Sequence, residues 1–229
     1  MSASPLDKVI VALDYEEPDT ALRLVDQIGD LVSWFKIGPI LYTRSGPDVI
    51  RSLHRKGKKI FIDMKLHDTP QVVADTIKQF ADMGAQFATV HTMGGKTMLE
   101  AASRGCRGSQ LKLIGLTLLT SHQPEDSAAL GWTDNESDIV LKMLETALSS
   151  RLAGIMCSPH DIDNVRKRVL PGFVLVTPGI RLQGQEVFQD DQKRVATPQE
   201  ALGWGSDHLI IGRSITQARD PRLVVQSLF

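Results

Sequence analysis

The sequence predicts an α/β fold, a single-domain (β/α)8 TIM barrel occupying residues 1–229. Three observations carry that expectation. Short β-rich runs alternate with longer segments of helical period, the runs are apolar nearly throughout, and polar residues recur at their carboxyl ends. Strands such as Leu209-Ile210-Ile211 are apolar on both faces, as expected where helices cover the sheet. A doubly wound open sheet is the competing architecture.

The candidate strands, in order, are Val9–Leu13, Val32–Ile37, Lys59–Met64, Phe87–His91, Leu113–Leu118, Gly154–Cys157, Val174–Thr177 and His208–Ile211. Between them Asp19–Ile28, Pro47–Lys56, Pro70–Met83, Lys96–Arg104, Glu136–Ser150, Pro159–Arg168 and Pro198–Leu202 read as helices. Asp19-Thr20 and Thr69-Pro70 resemble helix starts, the latter joining a capping residue to Pro at the first helical position. No Pro/Gly/Ser linker, repeat or low-complexity tract divides the chain. Two insertions, Thr120–Asn135 and Leu182–Arg194, follow strands five and seven, at the face where such a barrel carries its active site. The apolar end, Leu223–Phe229, is expected to pack on the outer helices.

Composition narrows the function classes. With 229 residues, 42% hydrophobic and 23% charged, the chain can build one sizeable core. Its 26 Lys+Arg against 27 Asp+Glu give a formal charge of -1, which offers no general attraction to nucleic acid or anionic membrane but leaves room for a local basic pocket. Trp34, Trp132 and Trp204 form no stripe suited to stacking bases. The start, M-S-A-S-P-L-D-K, lacks a signal peptide's apolar stretch, and Val9–Leu13 is too short to span a bilayer. Cys106 and Cys157 alone make no disulfide framework, so a reducing, cytoplasmic location is expected. Cys157 and Met64, Met83, Met93 and Met98 read as packing residues.

Polar groups at the strand ends converge on the barrel mouth in such a fold. Asp14 follows V-I-V-A-L, Lys36 sits in W-F-K-I-G, and Asp63 and Lys65 close strand three in F-I-D-M-K-L-H-D-T-P. His91 closes strand four, Thr120 follows strand five, Thr177 follows strand seven, and Gly212-Arg213 follow strand eight. Each has a structural reading as well. Asp14 can cap a helix, Lys36 can extend its ammonium outward, and His91 reads as a hydrogen-bonding structural histidine. Asp63, Lys65 and Asp68 can form an internal salt-bridge network, and His67 beside Asp68 is a conceivable metal ligand.

The charges impose a chemistry. Asp63 and Lys65, two apart, point the same way on a strand. Two carboxylates and two ammonium groups, with Lys36 included, hold one another fixed in a dry pocket. A substrate carboxylate beside Asp63 meets like-charge repulsion that loss of carbon dioxide relieves. Lys65 can then stabilise the developing carbanion and deliver a proton. A second constellation suits phosphate: T-P-G-I-R at 177–181 and I-G-R-S at 211–214 offer backbone amides, glycines and the guanidinium groups of Arg181 and Arg213. No G-x-G-x-x-G after a strand, G-x-x-x-x-G-K-[ST], H-E-x-x-H or clustered CxxC is present, so neither cofactor nor metal is expected.

These motifs closely resemble those of the orotidine 5′-phosphate decarboxylase family. The likeness runs from Val9 to Ala218 through V-A-L-D, F-K-I-G, F-I-D-M-K-L-H-D-T-P, T-V-H-T, T-P-G-I-R, D-Q-K-R and I-G-R-S. The resemblance implies a cofactor-free (β/α)8 homodimer that converts orotidine 5′-monophosphate to uridine 5′-monophosphate, with two sites at the subunit interface. It makes Lys65 the proton donor to ring carbon 6 and Asp63 the carboxylate set against the substrate's own. Lys36 links the array to the ribose, Asp14 takes a ribose hydroxyl, and Thr120 recognises the pyrimidine amide. Asp68 reaches across the dimer with Thr69 beside it, and Arg181, Gln192, Gly212 and Arg213 grip the phosphate. Two residues more than the usual bacterial spacing separate Arg181 from D-Q-K-R, which leaves Gln183, Gln185 and Gln189 as alternatives to Gln192.

Two rivals remain at this level. The 3-keto-L-gulonate 6-phosphate type of decarboxylase shares Asp-x-Lys-x-x-Asp but uses magnesium held partly by an acid near the end of strand two, where this chain has Lys36. A phosphometabolite-binding barrel without turnover is the other.

Overall fold

A computed structural model describes residues 4–182 and 194–229. Eight parallel strands close into a barrel in chain order: β1 Val9–Ala12, β2 Trp34–Ile37, β3 Lys59–Leu66, β4 Phe87–His91, β5 Lys112–Leu116, β6 Gly154–Met156, β7 Val174–Thr177 and β8 His208–Ile211. The ring is sealed by β1 against β8, with Val9, Ile10 and Val11 facing Leu209, Ile210 and Ile211. The closed ring rules out the open-sheet alternative.

Strand alternation divides the apolar residues between two cores. Ile10, Ala12, Trp34, Phe61, Phe87, Ile114, Leu116, Met156, Val176 and Ile210 fill the barrel. Val9, Val11, Phe35, Ile37, Ile60, Ile62, Ala88 and Val90 point outward beneath the helices. The inward series continues upward from this filling: Lys36 follows Trp34 by two, Asp63 follows Phe61 by two, and Thr89 follows Phe87 by two. Strand parity thus delivers charged groups to the mouth of an otherwise apolar barrel.

The helices are α1 Pro18–Ile28, α2 Pro39–Ser45, α3 Asp48–Arg55, α4 Pro70–Asp82, α5 Gly95–Gly105, α6 Pro124–Ala129, α7 Glu136–Ser149, α8 Ile162–Arg166, α9 Pro198–Gly203, α10 Arg213–Thr216 and α11 Pro221–Gln226. Several boundaries differ from expectation. The first helix starts at Pro18 with Glu17 at the cap position, one residue before Asp19. Residues 39–45, expected as a connection, form α2, which Gly46 ends at a positive φ of 54°. The insertion at 120–135 contains α6, and the segment expected as one helix over Pro159–Arg168 is a 3-10 turn, Pro159–Asp161, followed by α8. Thr69 occupies the cap position of α4, but its side chain makes no capping bond; instead its N–H donates to Asp68 Oδ1 at 2.6 Å. The chain end packs only in part: Val225 and Leu228 are buried in the outer core, whereas Leu223 and Phe229 are exposed. Both cysteines are free thiols, and burial pushes the Cys157 thiol pKa far up, consistent with packing. No helix among the described residues is long and apolar enough to cross a membrane.

Candidate active site

A cavity of about 290 Å³ opens at the carboxyl ends of the strands. It gathers Asp14, Lys36, Asp63, Lys65, Thr120, Arg181, Gly212 and Arg213, residues spread across 200 positions of sequence (213 minus 14, plus one). Leu116, Leu118, Met156 and Ile210 give it an apolar wall. Pro178 and Gly179 of the T-P-G-I-R turn also line it, as does Ser121, an uncharged loop residue that carries no signal in the sequence.

Asp63 is the hub. Its Oδ2 lies 2.8 Å from Lys65 Nζ and 3.5 Å from Lys36 Nζ, and Lys36 Nζ reaches Asp14 Oδ1 at 3.0 Å. Asp63 and Lys36 are 3% and 7% exposed. Burial alone would raise the Asp63 pKa, but the ammonium groups of Lys36 and Lys65 and the bonds from Lys65 and Thr89 outweigh it and hold the carboxyl below its ordinary value. For Lys36 burial acts downward, and Asp63 with Asp14 reverses it, raising that pKa. Each buried charge is therefore kept by its neighbours. Lys36 does not extend outward, and Asp14 caps no helix; both structural alternatives fail on this geometry.

The backbone explains how Lys65 arrives here. Between β3 and β4 the register runs Phe61 to Phe87 and Ile62 to Ala88, then jumps to Leu66 opposite Val90. Four steps along β3 therefore oppose two along β4, and the extra residues carry Asp63 and Lys65 in a bulge. Lys65 has φ of 50°, in the left-handed region. Gly38 matters for the same cluster. A Cβ there would lie 2.9 Å from Asp14 Oδ1 and 3.2 Å from Lys36 Nζ, so glycine lets the backbone approach the pair.

Gly179 and Arg181 after β7 and Gly212 and Arg213 after β8 line the same cavity. The strand-seven loop is tied at its base: Arg181 N–H donates to Ala196 O at 2.9 Å, and Ala196 N–H to Gly179 O at 3.2 Å. Gln192, with Gln183, Gln185 and Gln189, lies outside the described residues. Arg194, at the return of that loop, builds the site in a way its place in D-Q-K-R does not signal. Buried, it pairs with Glu136 and Asp161 at 3.3 Å each and donates from Nη2 to Leu119 O at 2.9 Å, beside Thr120.

Asp68 and Thr69 do not join the cavity within one chain; both are exposed at the start of α4. His91 and Thr177 take structural places. His91 Nδ1 accepts from the Met93 N–H at 3.3 Å, and Thr177 shares a 2.8 Å hydroxyl bond with Ser206. Burial, with His67 and Lys65 nearby, lowers the His91 pKa. Among the described residues, no group of three or more His, Cys, Asp and Glu is placed to hold a metal ion.

Known proteins match this chain over nearly its whole length. Orotidine 5'-phosphate decarboxylase of Methylorubrum extorquens is 42% identical over 227 residues, covering 99% of this chain and 96% of that protein. The protein of the same name from Coxiella burnetii is 40% identical over 228 residues, covering 98% and 96%. The crystal structure of orotidine 5'-phosphate decarboxylase from Lactobacillus acidophilus superposes with a TM-score of 0.83 at 33% identity, covering 97% of each chain. With residues 7–228 matching its family model, the chain belongs to the Orotidine 5'-phosphate decarboxylase / HUMPS family.

Proposed function

We propose that this protein decarboxylates orotidine 5′-monophosphate to uridine 5′-monophosphate and carbon dioxide in pyrimidine biosynthesis, without metal or organic cofactor. The observation that carries the reading is one buried carboxylate, Asp63, shared by two ammonium groups in a cavity that Arg181 and Arg213 also line. A nucleotide seated there has its phosphate at the arginines and its ring at the lysines. The ring carboxylate then lies against Asp63, and like charges raise the energy of the bound substrate relative to the transition state. As the ring C–C bond breaks, carbon dioxide leaves and the electron pair stays on carbon 6. The Lys65 ammonium stabilises that carbanion and transfers its proton to it. Asp14 and Lys36 hold the ribose side, Thr120 reads the pyrimidine amide, and Gly212 with Gln192 completes the phosphate grip.

The active form in this reading is a cytoplasmic homodimer. Asp68 and Thr69 of one subunit complete the other's site, which accounts for their exposure at the mouth of an isolated chain. The test is direct. Purified protein mixed with orotidine 5′-monophosphate should abolish the orotate-ring absorbance, at an undiminished rate in excess chelator. Absence of turnover by folded dimer removes the decarboxylase assignment. Turnover lost to chelator and restored by magnesium moves the chain to the metal-dependent branch.

A further inference from the structure

We infer that Thr89 is a positioning residue that sets the Asp63–Lys65 dyad, an inference that rests on the decarboxylase reading. Thr89 sits in the middle of β4, wholly buried and outside the cavity lining, so it touches no substrate. Its Oγ1 accepts the Lys65 backbone N–H at 2.7 Å and lies 2.9 Å from Asp63 Oδ1.

The proton assignment follows from the partners. A backbone N–H only donates and an ionised carboxylate only accepts, so the single hydroxyl proton must point at Asp63. The result is a directed relay: Lys65 N–H to Thr89 O–H to Asp63 carboxylate. Each bond does something the strand ladder cannot. The β3–β4 register breaks between Ile62 and Leu66, and the Thr89 hydroxyl serves in place of a β4 carbonyl as acceptor for the Lys65 amide. That bond holds Lys65 in its left-handed conformation. The second bond occupies Oδ1 of Asp63, leaving Oδ2 to face Lys65 and Lys36. A β-branched side chain with a restricted χ1 suits such a two-sided splice. Valine has the same shape and would fill the space, but it would leave a carboxylate oxygen and an amide without these bonds.

The test compares Thr89→Val and Thr89→Ser with wild type in the full-length protein. We expect Thr89→Val to lower kcat about 10- to 100-fold, the scale of a small misplacement of reacting groups. KM and uridine 5′-monophosphate affinity should stay within about threefold, since the phosphate grip is untouched. Thr89→Ser should recover most of the loss. Wild-type kcat in Thr89→Val, or equal loss in Thr89→Ser, overturns the inference. Should Thr89→Val fail to fold, amide exchange in wild-type protein decides: the Lys65 N–H is expected to be protected, and exchange at the rate of a free loop amide overturns the proposal. An inactive wild type counts against the decarboxylase reading instead, so the two failures are distinguishable.

Discussion

Lys65 combines two costs that ordinary sequence selection avoids. Its φ of 50° is strained for a residue with a Cβ, by about 1–3 kcal/mol, and its ammonium stands beside a second lysine with only Asp63 between them. Strain and like charge concentrated on one side chain fit the proton-donor role proposed for it. Lys65→Ala is therefore expected to lower kcat by about 10²–10⁴-fold, the range for loss of a positioned proton donor, while uridine 5′-monophosphate still binds. Asp68→Ala should also be inactive. In the proposed homodimer, mixing the two variants with exchange of subunits should restore activity to about a quarter of the sites, because half the dimers are then hybrids and one of each hybrid's two sites is intact. Turnover assays of the mixture measure this, and no recovery despite proven exchange sinks the shared site. At this scale the array was readable in advance because charge on an apolar strand is conspicuous: Asp14, Lys36, Asp63 and Lys65 all reach the cavity. Thr89 was not, since a hydroxyl in A-T-V-H looks like any strand threonine. The spacing of Asp63 and Lys65 predicts regular strand parity, whereas a bulge brings the two together.

At the scale of elements, all eight strands were legible from apolar runs, and the losses fell in the connections. α2 is short and mixes Tyr42, Thr43 and Arg44 among Ile40 and Leu41, so its period is weak. α6 lies inside an insertion whose small polar residues read as loop. Arg194 was seen only as part of D-Q-K-R, and its partners lie 33 and 58 residues away by subtraction from Asp161 and Glu136. Such long-range pairing leaves no local pattern. Its role is nonetheless specific: it pins the return of the strand-seven loop to the strand-five loop at Leu119, to Asp161 after β6 and to the start of α7. Arg194→Met keeps an unbranched apolar stem but removes the guanidinium, and among the described residues leaves Asp161, which is 4% exposed, with the Ser158 hydroxyl at 2.6 Å as its side-chain partner. We expect a loss of about 3–5 kcal/mol in urea denaturation, the usual cost of stranding a buried charge. A midpoint equal to wild type would mean that solvent replaces the guanidinium and that the tie contributes nothing.

Across the whole molecule the barrel is polarised, with ion pairs at its mouth and rings at its floor. Trp34 and Phe87 stack at 4.5 Å, and His208 meets both edge-on at 5.2 and 5.3 Å. The imidazole is thus packed as an aromatic ring, with Nδ1 buried and without a hydrogen-bond partner among the described residues. Burial pushes its pKa down to about 4 from 6.5, against the opposing pull of Asp207. Between those values the unfolded chain takes up a proton that the folded barrel refuses. The contribution of the neutral ring is therefore complete above pH 6.5, declines as pH falls towards 4, and is lost below it. The full effect is on the order of 3 kcal/mol. His208→Phe retains a ring but has nothing to titrate, so its stability should fall less steeply than wild type across this window. Urea denaturation of both proteins at stepped pH measures the difference, which cancels the acid response of the carboxylates they share. Parallel curves would mean that His208 is protonated as readily in the folded barrel as in the unfolded chain, and that the aromatic floor does not exclude its charge.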